Sequence, residues 1–360
     1  MRQYIPPAPP PELVDEFVAR TLEAFEEAGA HQPTEERHLR IADRSVVVRF
    51  RSPEVADRYR AATAHVEVGA DAPPPGPPAL TIGCWDTATS GVGLPPLPWI
   101  QDNLLHRDRV RGHTTGDVRA TYQQSEGLLH LYDGRRGLGL MHATSAAAVQ
   151  PWTDRAPFRT FIGWWATDCS LSMMHSSCVA TDRGAALIAG GSGSGKSTTA
   201  MTCVLAGFAF LCDDACIVDL DAPGGPMVHA VYGRSKLEPD AAHRLGLSPG
   251  PDGGALITEP PGAVAHAAAR VLLLPTVTGR PETRVEALPR TEVLRTLVPG
   301  SIREGGGLGG RALQEMTRVV RTLPSYRLLL GTDPAGVVEA VAAAIDGAAV
   351  ANVDPSVEGA

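Results

Sequence analysis

The chain has 360 residues, 43% hydrophobic and 20% charged, with a net charge of −8. These values suit globular domains and exclude wholesale disorder, and the length suits two domains that each bury a core. No basic run tracks a phosphate backbone, so nucleic acid is not an expected partner; Arg107, Arg109 and Arg111, interrupted by Asp108, read as a solvated face.

After a proline-rich lead that lacks the apolar core of a signal peptide, residues 12–28 carry Val14, Val18, Leu22 and Phe25 at helical spacing. Residues 38–50 predict two short strands about Asp43-Arg44, with Val46, Val48 and Phe50 on one face, and a second helix runs from Pro53 into Ala64. The Pro/Gly run at 73–78 is a stiff connector. Strands are predicted at 79–84, 118–123, 128–132 and 138–142, the last two joined through Asp133-Gly134. Residues 1–150 are therefore expected to form an α+β accessory domain without catalytic motif, serving acceptor recognition.

A second domain is expected over 151–346. Its elements are a helix at 158–169, a hairpin of 177–180 with 185–189, and a helix at 197–206 stopped by Gly207. Strands follow at 208–212, 215–220, 228–231 and 271–274, the last ending in Pro275. A late helix carries Leu313, Met316 and Val320 before Pro324; strand 326–330 and a helix capped by Thr332, Asp333 and Pro334 close the domain. Residues 347–360 read as a loose tail. No apolar stretch approaches the roughly 18 residues of a membrane span, so no membrane partner is expected. None of the six cysteines forms a C-x-x-C pair, and Cys212 and Cys216 read as small core residues, not zinc ligands. The cytoplasm fits this usage.

The chemistry concentrates at residues 190–197, Gly-Gly-Ser-Gly-Ser-Gly-Lys-Ser, which fit the Walker A pattern G-x-x-x-x-G-K-[ST] at every specified position. A loop of Gly190, Gly191, Ser192, Gly193, Ser194 and Gly195 can turn its N–H groups inward around phosphates. Lys196 then reaches the terminal phosphates, facing solvent until they arrive, and Ser197 becomes a magnesium ligand, with Thr198 beside it in the first helical turn. A strand before the loop and a helix after it aim the helix N-terminus at the anion. The expected ligand is a nucleoside triphosphate with Mg2+, ATP and GTP being undistinguished.

Other loop users are disfavoured. Residues 304–310 are glycine-rich but lack a transporter's L-S-G-G-Q segment, and Ser235-Lys236-Leu237-Glu238 does not supply a GTPase's N-K-x-D. The acids appear instead at Asp213-Asp214, within seventeen residues of Ser197 (197 to 214), which leaves room for a helix, a turn and a strand returning them beside the loop. Adjacent strand-end carboxylates point to opposite sides. One can face metal or water and the other an incoming hydroxyl, as phosphoryl transfer requires.

Residues 175–218 resemble the catalytic core of HPr kinase/phosphorylase and the HPr-kinase-like serine kinases. The resemblance rests on a histidine fifteen positions before the first loop glycine (175 to 190), the segment Gly190–Thr198, the glycine ending the helix, and an Asp-Asp pair before a strand. It implies a P-loop kinase fold and an ATP–Mg-dependent phosphotransferase with an alcohol group as acceptor. By the same resemblance Asp214 is the base that accepts the hydroxyl proton, His175 its support, Lys196 the phosphate-binding lysine and Ser197 a magnesium ligand. A weaker similarity runs through 271–274 to 323–330. The family's motif for a second metal-binding glutamate is absent; Glu238 is the nearest candidate, and a plain surface acid is the equal alternative. The basic phosphorolysis loop is missing, with Pro299-Gly-Ser-Ile-Arg303 a faint echo.

The expectation is an ATP–Mg kinase acting on a serine of a peptide or protein, or on a metabolite alcohol, with Asp213 assisting the metal shell. Residues 304–310 are either a lid over the acceptor or a plain loop. Two alternatives stand. An ATP-binding regulatory or assembly protein would need neither His175 nor Asp214, and a phosphorylase working in reverse lacks its basic loop. Whether the chain forms a homo-oligomer stays open.

Overall fold

The computed structural model describes residues 7–31, 34–69, 76–105, 108–250, 254–257, 260–304 and 310–347. Arg107, residues 73–75 of the connector, 305–309 of the expected lid and 348–360 of the expected tail lie outside the described residues. The chain divides into two compact units after Cys169.

In the first unit, helix Pro11–His31 precedes the hairpin of Glu35–Ile41 and Arg44–Phe50, turned by Ala42 and Asp43 at φ of 50° and 57°. Helix Pro53–Thr63 and strands Leu80–Asp86, Val118–Gln123, Leu128–Asp133 and Leu138–Ala143 follow the sequence expectation closely. With Glu67–Val68 they make a seven-stranded sheet in the order 67–68, 35–41, 44–50, 80–86, 138–143, 128–133, 118–123. Two glycines show how the helices cover it. A Cβ at Gly83 would sit 2.9 Å from Phe25, and one at Gly139 would sit 2.8 Å from Phe161. Gly83 pairs with Leu140, so Gly83 and Gly139 face opposite sides. Helix Pro11–His31 therefore covers one face and helix Arg159–Asp168 the other.

That second helix explains where the division falls. The sequence expectation drew the line at 150/151, yet the buried Arg119 donates to Trp164 O at 3.0 Å and Asp168 Oδ1 at 2.5 Å. Tyr132 donates to Asp168 Oδ2 at 3.0 Å as well. These bonds, with Phe161 and Trp164 fully buried, hold residues 159–168 to the first sheet.

Burial in this unit carries a pH signature. Desolvation pushes His65, His130 and His142 down to about 4. The unfolded chain, with ordinary histidines, binds more protons between about 4 and 6.5, so stability falls as pH drops through that window. Replacing His130 with Gln should remove one such proton and flatten the slope by about 1.4 kcal/mol per pH unit. Urea unfolding at several pH values checks this, and an unchanged slope would contradict it.

In the second unit, strands Ser176–Thr181 and Gly184–Ala189 form the expected hairpin. The sheet runs 209–212, 176–181, 184–189, 266–277, 227–230, 216–219, 172–174, and strand 325–330 joins 266–277 with 284–287 beyond it. Alternate residues of Gly184–Ala189 enter different cores. Ala186 and Ile188 pack with Met201 and Val204 of helix Lys196–Leu205 and with Val337 and Val341 of helix Pro334–Ile345. Ala185, Leu187 and Ala189 pack with Val293 and Leu297 of helix Arg290–Glu304 and with Met316, Val319 and Val320 of helix Gly310–Thr322. A strand covered on both faces reads as an unbroken apolar run, as this one does. The fold is mixed α/β.

Several details depart from expectation. Strand His266–Val277 does not stop at Pro275: pairing with 184–189 ends at Ile188 and Leu273, so on that side no ladder bond is asked of the proline. Leu313 is 42% exposed although Met316 and Val320 are buried. Asp333, not Thr332, caps the last helix, accepting from Ala335 N and Gly336 N. Strands Ser172–Met174, Ser235–Leu237, Ala255–Ile257 and Arg284–Ala287 were not predicted, nor were helices Pro239–Arg244 and Arg290–Glu304.

Candidate active site

Strand Gly184–Ala189 delivers the chain into the loop, and helix Lys196–Leu205 leaves it. Gly193 and Gly195 hold φ of 76° and 99°, left-handed values that a side chain rarely tolerates. Gly195 is the N-cap, and no side chain caps the helix, so the N–H groups of its first turn stay available to an anion. Gly191, Ser192 and Gly193 form the exposed tip. Within the loop the Ser194 Oγ is buried and, among the described residues, without a hydrogen-bond partner.

Lys196 departs from the solvent-facing position expected of it. It is 8% exposed, and its ammonium donates to Gly190 O and Gly191 O at 3.0 Å each. The charge thus rests on the loop's first two carbonyls while the side chain as a whole is buried. Thr198 accepts, through its carbonyl, the Thr202 hydroxyl at 2.8 Å.

The acids stand where the edge strand Ala209–Cys212 ends. Asp213 is 4% exposed and accepts three hydroxyl bonds: Ser177 at 2.5 Å and Ser197 at 2.9 Å on Oδ1, and Ser235 at 2.8 Å on Oδ2. Burial, then the neighbouring Asp214 charge, pushes its carboxyl up, and the three bonds pull it back. Ser197 Oγ with Asp213 Oδ1 makes an oxygen donor set at the loop, which suits a hard cation such as magnesium. The uncapped helix start, the unpartnered Ser194 Oγ and this oxygen pair together fit a triphosphate with its metal.

Asp214 differs in every respect. Its side chain is 41% exposed and its backbone sits at φ 79°. His175, in the link between strands Ser172–Met174 and Ser176–Thr181, donates from Nδ1 to Asp214 O at 2.8 Å, with Asp214 Oδ1 3.9 Å from the same nitrogen. Because a carbonyl oxygen can only accept, that bond makes Nδ1 a protonated nitrogen. Loop, Lys196, Ser197 and Asp213 thus meet at one end of the sheet, and His175 meets Asp214. Glu238 is exposed as the N-cap of helix Pro239–Arg244, three residues after Ser235.

Ser177 and Ser235 were missed by sequence reasoning. Ser177 left a faint signal, a hydroxyl inside a buried apolar strand; Ser235 left none, because only the fold brings strand Ser235–Leu237 to the acid. Cys178, Cys212 and Cys216 are buried beside the acids in the core, in keeping with the reading as small core residues.

No known protein family matches the sequence, and no curated protein matches it. Among solved structures, the HPr(Ser) kinase/phosphatase from Coxiella burnetii is similar at 12% identity and a TM-score of 0.27, over 50% of this chain and 97% of that one. Among the described residues no helix is long and apolar enough to cross a membrane.

Proposed function

We propose that the second unit is an ATP–Mg-dependent kinase that transfers the γ-phosphoryl group to a hydroxyl acceptor. The observation that carries the proposal is the split environment of the acid pair. Asp213 is buried on Ser197 of the phosphate loop, while Asp214, next in the chain, is exposed beside His175. A carboxylate directed to a metal-binding hydroxyl and a second directed to an incoming substrate are the two needs of this chemistry.

Bound ATP–Mg would supply the phosphoryl group and the charge neutralisation it needs. The first-turn amides and Lys196 bind and orient the phosphates. Ser197 holds the metal, and Asp213, fixed by Ser177 and Ser235, orients Ser197. Asp214 receives the acceptor's proton at its carboxylate, and the His175 bond to its carbonyl oxygen holds that backbone in place.

Calorimetric titration of ATP–Mg, run beside phosphorus NMR of the products formed with hydroxyl acceptors, tests the reading. Nucleotide binding with phosphorylated product is expected. Tight binding with no ADP formed from any acceptor would favour a regulatory ATP-binding protein, and no binding would sink the proposal.

A further inference from the structure

A cleft of about 390 Å3 opens beside Gly190, Gly191 and Ser194, with Glu292 and Thr296 of helix Arg290–Glu304 and Arg327 of strand Ser325–Leu330 on its other sides. One side chain relates it to the chemistry. The Lys196 ammonium bonds the carbonyls of Gly190 and Gly191, and both glycines line the cleft. The far wall leads to the acid–base pair. Glu292, Thr296 and Gly300 share one helix face at four-residue spacing, and a Cβ at Gly300 would lie 3.6 Å from His175 Cδ2. The cleft therefore adjoins the loop on which Lys196 rests, and the helix that forms its far wall reaches His175 at Gly300.

Its charges are specific. Arg327 and Glu292 form an ion pair in the lining, each partly exposed to a ligand. An acceptor with only a carboxylate would strip Arg327 from Glu292 and leave that acid unpaired beside its own charge; an amine alone would do the converse. A molecule carrying both charges exchanges with both partners at once. The volume lies at the small end of ligand pockets, a size that suits a metabolite.

Resting on the kinase reading, we infer that the acceptor is a free amino acid with a side-chain hydroxyl, its carboxylate on Arg327 and its ammonium on Glu292. In the transfer, the hydroxyl oxygen bonds to the γ-phosphorus of ATP as the bond to the β,γ-bridging oxygen breaks. The proton goes to the Asp214 carboxylate, and ADP leaves. Acceptor choice then lies in the second unit, in place of residues 1–150.

The test offers the full-length protein with ATP–Mg one of several alcohols: L-serine, L-threonine or L-homoserine, ethanolamine, glycolate, or a serine peptide blocked at both ends. ADP and phosphorylated product are read. A hydroxy amino acid should exceed every other acceptor in kcat/KM by roughly tenfold or more, the worth of one charged hydrogen bond. Arg327→Gln should erase the preference over ethanolamine, and Glu292→Gln that over glycolate. Thr296→Trp, which fills the cleft, should block every acceptor while calorimetry still shows ATP–Mg bound. The inference is overturned if single-charge alcohols or the blocked peptide serve as well as the amino acids. It is equally overturned if either charge variant keeps full preference, or if ATP–Mg binds and no amino acid is phosphorylated. A chain that binds no ATP–Mg defeats the kinase reading itself, and the inference with it.

Discussion

A Lys196→Ala chain is expected to remain folded and to lose at least about a hundredfold in ATP turnover, on the order of 3 kcal/mol of transition-state stabilisation. The reason for the intact fold is local. The ammonium bonds Gly190 O and Gly191 O, and Gly191 is exposed, so water can take over at the loop when the charge is removed. The reason for the lost turnover is that no other lysine or arginine shares the loop sequence. Circular dichroism and an ADP-release assay on the same preparation check both halves. A folded variant with undiminished turnover would remove the loop from the chemistry.

Asp214→Asn should separate transfer from binding. The amide keeps the size of the side chain but cannot accept a proton, so transfer should fall by roughly a hundredfold or more while ATP–Mg affinity changes little. The choice of Asn also respects the backbone, since Asn is among the few residues that enter the left-handed region readily, where Asp214 sits at φ 79°. Asp213→Asn should behave differently: its carboxylate contacts Ser197, so the magnesium requirement should rise while the proton-accepting step is spared. Pre-steady-state transfer measured across a magnesium titration distinguishes the two. If both variants match the parent, the acid pair is a turn and nothing more.

The parts legible in the sequence were those whose signals are local. The loop, its apolar strand and the helix after it are contiguous, and the hairpin at 176–189 is marked by Asp182-Arg183-Gly184. The Asp213–Asp214 pair was legible because one helix and one short strand bring it back to Ser197. What was not legible depends on distant chain. Ser235 reaches Asp213 from a short strand twenty-two residues further along, with no periodicity to announce it. Helix Arg290–Glu304 was hidden by Pro299 within it and by the mixture of charges around Val293 and Leu297, which are buried in the core. Helix Arg159–Asp168 was recognised as a helix, but nothing in its own residues told which sheet would claim it. Arg119 and Tyr132 decide that, from strands well before it.

The backbone at Asp214 has a consequence for how this protein would respond to selection. Asp enters the left-handed region more readily than most residues, yet glycine enters it more readily still. A thermostability screen blind to activity would therefore accept glycine at position 214. The tolerant choice for the fold would erase the exposed carboxylate, so robustness and usefulness of the chain pull against each other at this one residue.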